Sequence, residues 1–265
     1  MTSENRPLER QDPVRTRAPH GGGLRFLGVT PLRPCPYLPG RLERSIVTPL
    51  AGARADSAYD DMLRGGFRRS HLAAYRPACP GCRACVSARV RADNFVPSRS
   101  LRRVIARNAG ITLNVLPALA RPDHYSLFRR YLAARHPDGT MAAMGREGYG
   151  ALVEESAVET RLAEFRSPGG RLYGVCVFDV VADGLSAVYS FYEPTRIKDS
   201  PGSYMILRLV GETRAMTLPY LYLGYWIDGC DKMDYKSRFR PLEVHGADGW
   251  TTLDAQEGAQ DVSNH

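Results

Sequence analysis

The amino-acid sequence predicts a mixed α/β (α+β) protein, and three observations carry that prediction. Segments of alternating polarity and segments with helical periodicity follow one another along the chain, with turn residues between them. The stretch LPYLYLGYWI at 218–227 is dense in aromatic and aliphatic residues and short, as an interior strand should be. Hydrophobic residues make up 43% and charged residues 24% of the 265 residues, and no apolar run approaches the roughly 20 residues of a membrane-spanning helix. A membrane partner is therefore not expected.

Taken in order, residues 1–22 are polar, carry Arg6, Arg10, Arg15 and Arg17, and lack both an apolar signal-peptide core and the periodicity of a fold. They are expected to form a tail on a cytoplasmic protein. Residues 23–116 form an arginine- and cysteine-rich N-terminal subdomain. Within it, Val86, Ala88 and Val90 alternate with Ser87, Arg89 and Arg91, which predicts a strand with one core face and one cationic face. A helix follows, with Ser98 as its N-cap and a stop at Gly110, burying Leu101, Val104 and Ile105 on one side.

The second part, residues 117–243, reads as helix, helix, three strands, helix, strand and short helix. Asp123 is a candidate cap for the first helix, whose buried stripe is Leu127, Phe128, Tyr131 and Leu132 before His136 and Pro137 end it. Strands are expected at 160–165, 171–181 and 186–192, separated by turns at 167–170 and 182–184. Within residues 199–216, Ser203 and the apolar run after it suit a helix buried on most sides, and the 218–227 strand comes after it. This order matches the GNAT-like acyltransferase fold. Residues 244–265 hold four acids and no Lys or Arg, and are expected to be an acidic tail.

The formal charge of +8 is unevenly spread. Between Arg64 and Arg107 the sequence has eleven arginines and one acid, Asp93. Like charges so dense repel one another, and a polyanionic partner, nucleic acid foremost, accounts for them better than a solvated face. Cys79, Cys82 and Cys85 lie at metal-ligand spacing, and Cys35 can supply a fourth thiolate. Such a set suits a structural zinc ion or an iron-sulfur cluster; the alternative is a turn packed by sulfur beside Pro80 and Gly81.

Three stretches carry a family resemblance: GFRRSHLAAYRPACPGCRAC at 66–85, NFVPSRSLRR at 94–103 and YLGYWIDGCDKMDYKSRFRPLE at 222–243, supported by CPYLPGR at 35–41 and SFYEP at 190–194. Together they resemble the bacterial aspartate/glutamate leucyltransferases, relatives of the eukaryotic arginyl-tRNA-protein transferases. The resemblance implies a cytoplasmic enzyme with two partners, aminoacyl-tRNA and proteins that begin with Asp or Glu, and no DNA. It transfers leucine to the acceptor's α-amine and so marks the acceptor for degradation. Two departures stand out: Cys35 lacks the second cysteine of the eukaryotic C-x2-C pair, Leu38 standing there instead, and His71 stands where those relatives commonly have Gly.

The aminoacyl ester is already activated, so transfer needs chiefly orientation, worth roughly 7–11 kcal/mol. No cofactor is required for that step. An acidic first residue calls for guanidinium or ammonium groups, and Arg68, Arg69 and Lys236 are the candidates, the alternative for them being contacts to tRNA phosphates. Arg99, Arg102, Arg103 and Arg107, on the polar side of the helix after Ser98, are the candidates for tRNA. Tyr192, Tyr225 and Asp228 lie near strand ends where this fold builds its active site, and Asp228 is the candidate proton acceptor. Two alternatives compete: arginyl-tRNA as the donor, which needs a carboxylate in the pocket, and an acyl-CoA-dependent N-acyltransferase, which needs a glycine-rich pyrophosphate loop that TRIKDSPGS at 195–203 does not provide.

Overall fold

The computed structural model describes residues 28–139 and 141–253. In chain order the elements are strands β1 (Gly28–Val29), β2 (Arg33–Pro34), β3 (Leu42–Glu43) and β4 (Ser45–Pro49), then helix α1 (Ala55–Arg64). Strands β5 (Arg68–Ser70), β6 (Ala73–Pro77) and β7 (Val86–Arg91) precede helix α2 (Arg99–Arg107) and strand β8 (Thr112–Pro117). Helices α3 (Pro122–Arg135) and α4 (Arg146–Glu154) lead into the long strands β9 (Thr160–Arg166), β10 (Leu172–Val181) and β11 (Gly184–Tyr192). A 3-10 turn at Pro194–Asp199, helix α5 (Pro201–Ala215), strand β12 (Tyr220–Trp226), the short helix α6 (Asp231–Asp234) and strands β13 (Leu242–Gly246) and β14 (Gly249–Thr252) complete it.

Among the described residues the dominant sheet has eight strands in the order β14-β13-β7-β12-β11-β10-β9-β8. Alternation along β12 shows why it lies in the middle: Leu221 and Leu223 enter the main core, while Tyr222 enters a second core on the opposite face. The main core packs Leu127, Phe128 and Leu132 of α3 and Met205, Leu209 and Val210 of α5 against the sheet. The second core sets Tyr59, Met62 and Leu63 of α1 and Ala74 of the small β1-β4-β6-β5 sheet against Val181 and Tyr222. The mixed α/β architecture expected from the element order is the one observed.

Several local readings hold. Ser98 caps α2 by accepting from the Leu101 N–H, and the α3 stripe is buried. Others do not. Ile105 is 39% exposed, because α2 buries only Leu101 and Val104. Asp123 is not the N-cap of α3; that helix starts at Pro122, and the Asp123 carboxylate accepts from the His124 N–H and from Arg166. The tail expected from residue 244 is corrected for its first residues, since Leu242–Gly246 and Gly249–Thr252 form a hairpin that extends the large sheet through β7; the expectations for 1–22 and for 254–265 lie outside the described residues. The boundary at residue 116 also dissolves: β7, from the N-terminal part, pairs with both β12 and β13 from the C-terminal part. The expected cationic face of β7 is interior at Arg89, while Arg91 stays partly exposed. Arg89 pairs with Glu243 at 2.7 Å and its guanidinium lies 3.5 Å from the Tyr220 ring centroid and 4.2 Å from that of Trp250.

Candidate functional site

The site arises where two parallel strands part. β11 and β12 pair only through Gly184–Ser186 against Tyr220–Tyr222. Beyond that point β11 carries an extra residue, Val188, relative to β10, and β12 carries Leu223 relative to β7. Each bulge swings its strand and frees backbone groups from the ladder. Gly224 follows the second bulge with φ +84°, a conformation that favours glycine, and any Cβ there would lie within 4.0 Å of both Lys236 Nζ and Arg68. The gap widens into a cavity of about 300 Å³ bounded by β11, β12, α5 and the loop that holds Tyr37.

Two cations reach into it. Arg68 comes from β5; its Nη2 donates to the Ala187 carbonyl of the parted β11 at 2.7 Å, while its Nη1 is buried with no acceptor. Lys236, from the turn after α6, donates to the Tyr225 carbonyl of β12. No carboxylate of the described residues pairs with either. Burial, and then the neighbouring Arg68 charge, push the Lys236 ammonium down to about 7. Two desolvated basic groups, one with a free donor, lack a counter-charge among the described residues, and an anion would supply it.

Arg69, the neighbour of Arg68, has a different fate. Its Nε and Nη2 donate to Asp179 at 2.8 and 2.6 Å, and its Nη1 donates to the His71 carbonyl. The guanidinium is neutralised at the cavity wall, so the expectation that it meets the acceptor is corrected. His71 itself has φ 51°, the left-handed region in which glycine sits without cost.

Of the two tyrosines expected to do chemistry, Tyr225 serves as a wall and Tyr192 lies outside the lining. Tyr225 lines the cavity, but its hydroxyl donates to the Gly66 and Tyr75 carbonyls. Tyr192 is 8% exposed and packs edge-on against Tyr131 at 4.9 Å, outside the cavity lining. Asp228 is exposed and absent from the lining, which removes it as a proton acceptor within the cavity. Sequence reasoning missed Tyr37, Tyr75, Tyr189 and Tyr235, which do line it. Burial holds the Tyr37, Tyr189 and Tyr235 hydroxyls up at about 12, so they stay neutral. A glycine inside an otherwise aromatic strand, Gly224, was the available signal.

Of the four α2 arginines, Arg99, Arg102, Arg103 and Arg107 are all exposed. Arg102 donates to the Pro97 carbonyl of its own helix start, whereas Arg107 reaches Ser200 Oγ at the start of α5. The cysteines converge as well. Cys85 is pushed up to about 12 by burial and then by the thiols of Cys79, Cys35 and Cys82. Four thiols are the donor type that zinc or an iron-sulfur cluster takes. The sulfurs are more open than a closed ligand sphere: among the described residues the group with ligand atoms all within 4.8 Å is Asp123, His124 and Glu164. There, Arg166 already donates to both carboxylates and takes the place of a cation.

Comparison with known proteins extends this picture. The family model described as "Arginine-tRNA-protein transferase, N terminus" matches residues 33–103, and the one described as "Arginine-tRNA-protein transferase, C terminus" matches residues 123–246. The chain is 50% identical over 234 residues to the "Aspartate/glutamate leucyltransferase" of Paramagnetospirillum magneticum, covering 88% of this chain and 96% of that one. It is 50% identical over 240 residues to the protein of the same name from Bradyrhizobium diazoefficiens, covering 87% and 93%. Among solved structures it is similar to "The structure of L-PGS from Bacillus licheniformis", with a TM-score of 0.45 and 14% identity over 74% of this chain and 64% of that one.

Proposed function

The chain belongs to the arginine-tRNA-protein transferase family, and from that premise we propose that it moves leucine from leucyl-tRNA onto the α-amine of proteins that begin with Asp or Glu. The observation that carries this reading is the pair Arg68 and Lys236, two buried cations without a carboxylate beside a cavity. A peptide's acidic first side chain supplies the missing charge, with Arg68 Nη1 as its donor.

Once the carboxylate is held, the adjacent α-amine is directed at the ester carbonyl carbon. The nitrogen adds to that carbon, the tetrahedral intermediate collapses with loss of the tRNA 3′ oxygen, and a peptide bond replaces the ester. The amine's proton ends on the leaving oxygen or in solvent. With an α-amine pKa of about 7.7–8.0, a usable fraction is neutral near pH 7, and no strong base is needed. Backbone N–H groups released at the Val188 bulge are the candidates to hold the oxyanion.

The cavity suits an apolar donor side chain. Its lining includes Cys176, Met205, Ile206, Leu209 and Leu223, and no Asp or Glu. An arginyl donor would leave its guanidinium unpaired there: Asp228 is exposed, Glu193 is held by Arg130 at 3.1 Å and Glu243 by Arg89. The acyl-CoA alternative fits less well, because α5 begins Ser200-Pro201, and proline contributes no N–H to a pyrophosphate. The four cysteines would clamp the N-terminal loops through zinc or an iron-sulfur cluster, apart from the transfer step itself. The reaction belongs to the cytoplasm, where the leucine so added directs its bearer to degradation.

One assay tests the reading: purified protein, radiolabelled leucyl-tRNA or arginyl-tRNA, and peptides beginning Asp, Glu, Lys or Ala. Transfer confined to leucine and acidic peptides is the expected result. Equal use of Ala or Lys peptides would overturn it.

A further inference from the structure

A second cavity, of about 480 Å³, lies beyond the end of β11 and outside the splayed pair. Its floor is built. Asn108, 2% exposed, closes the end of α2 and spends its whole side chain there: Nδ2 donates to the Val104 and Asp199 carbonyls at 2.8 and 2.9 Å, and Oδ1 accepts from the Tyr173 hydroxyl at 2.5 Å. One residue thus ties α2, the turn before α5 and the start of β10 together. Ile111, Pro168 and Leu172 give an apolar wall.

The rim is cationic. Arg107, Arg171 and Arg196 surround the mouth. Arg196 is paired with Asp199, and the Glu193 carboxylate in the lining is paired with Arg130. Arg107 and Arg171 have no carboxylate partner among the described residues, which leaves two positive charges in surplus. Arg99, Arg103 and Arg107 recur every four residues on exposed α2, a row about 12 Å long that ends at this mouth. The start of α5 stands between the two cavities: Arg107 touches Ser200, and Gly202 lines the first.

We infer that this second cavity seats a nucleotide of the tRNA acceptor end, its phosphate against Arg107 and Arg171, while the aminoacylated terminus reaches the cavity at the strand splay. The inference rests on the proposed reaction and adds where the RNA enters: along α2, over the first turn of α5, into the gap. An apolar wall with a guanidinium rim suits a phosphodiester-linked nucleoside, and phosphate contacts fix register without reading sequence.

Arg107→Ser/Arg171→Ser tests it with two donors, leucyl-tRNA and 3′-leucyl-adenosine, which lacks every phosphate. The double variant should raise KM for leucyl-tRNA about tenfold or more and shallow its salt dependence, with kcat and the peptide KM kept, while 3′-leucyl-adenosine is used as by the parent protein. Unchanged KM and salt slope with leucyl-tRNA would overturn the inference. Equal loss with both donors would overturn it too, by making the cavity part of the fold or of the transfer step. Failure of the parent protein to use leucyl-tRNA at all would sink the proposed reaction instead, and direct binding of the uncharged tRNA acceptor stem to parent and variant would still decide this site.

Discussion

Arg69 and Asp179 face each other through two hydrogen bonds of 2.8 and 2.6 Å with both side chains shut off from solvent, while Arg68, one residue away, ends in a nitrogen with no acceptor. Adjacent arginines on one short strand therefore do different work. Removing one member of the closed pair strands a buried charge, at a cost of about 3–5 kcal/mol. Asp179→Asn and Arg69→Ala should each lower the midpoint of denaturant unfolding accordingly. A melt like that of the parent protein would show the pair to be dispensable.

Arg68→Gln keeps much of the volume and removes the charge. Acidic peptides should lose about 10- to 100-fold in kcat/KM, while unfolding changes far less than for Arg69→Ala. Arg68→Glu should admit a peptide beginning with Lys. Peptide selectivity unaltered in both variants would reassign the acceptor pocket.

The pH profile follows from Lys236. Its ammonium, pushed down to about 7, carries charge below that pH and loses it above. The acceptor amine moves oppositely, becoming reactive as pH rises toward its pKa of about 8. The kcat/KM for Asp peptides should thus peak between the two values. In Lys236→Arg the falling limb should vanish and the rate climb to a plateau; a profile identical to the parent's would exclude Lys236 from acceptor binding. Because the folded pKa lies below the unfolded one, the unfolded chain binds the extra proton between about 7 and 10.5, so the penalty this buried group places on folding is relieved as pH rises through that window.

Acid should act through Glu164. Hydrogen bonds from Arg166, and then from His124, hold this carboxyl down at about 2. Its contribution to stability is complete above pH 4.5 and fades as pH falls toward 2. Glu164→Gln should flatten the acid limb of a plot of stability against pH. An acid limb as steep as the parent's would place the sensitivity elsewhere.

Metal analysis of protein purified without oxygen should find zinc or iron, and Cys79→Ser/Cys82→Ser should lose it together with thermal stability. Visible absorbance assigns a cluster, and its absence with zinc present assigns the ion. Metal-free protein with parent-like stability after substitution would leave the thiols as packing groups.

Much of this was legible in the residues. The Ser98 cap, the Leu127–Leu132 stripe and the aromatic strand at 220–226 each announce themselves through local chemistry, which is why their positions agree with the structure. The misses come from distance. Nothing near Arg69 says that Asp179 waits 110 residues on, and nothing near Arg89 names Glu243, so eleven arginines looked like one surface. The closing hairpin was hidden by acid count, although Asp248-Gly249 between Val244 and Trp250 is a turn signal in its own right. The cavity exists because two strands stop pairing, and no local pattern records where neighbours part.

Strand β7 is gripped on both sides by strands made much later, β12 and β13. During synthesis both its edges stay open until β12 is made, and the second until nearly the whole polypeptide has left the ribosome. Cutting the gene between its two family segments would yield a front half with an unpaired ribbon and a back half with a hole in its sheet. The two pieces should regain activity only when made together, and a nascent chain stalled before residue 242 should be prone to capture by chaperones.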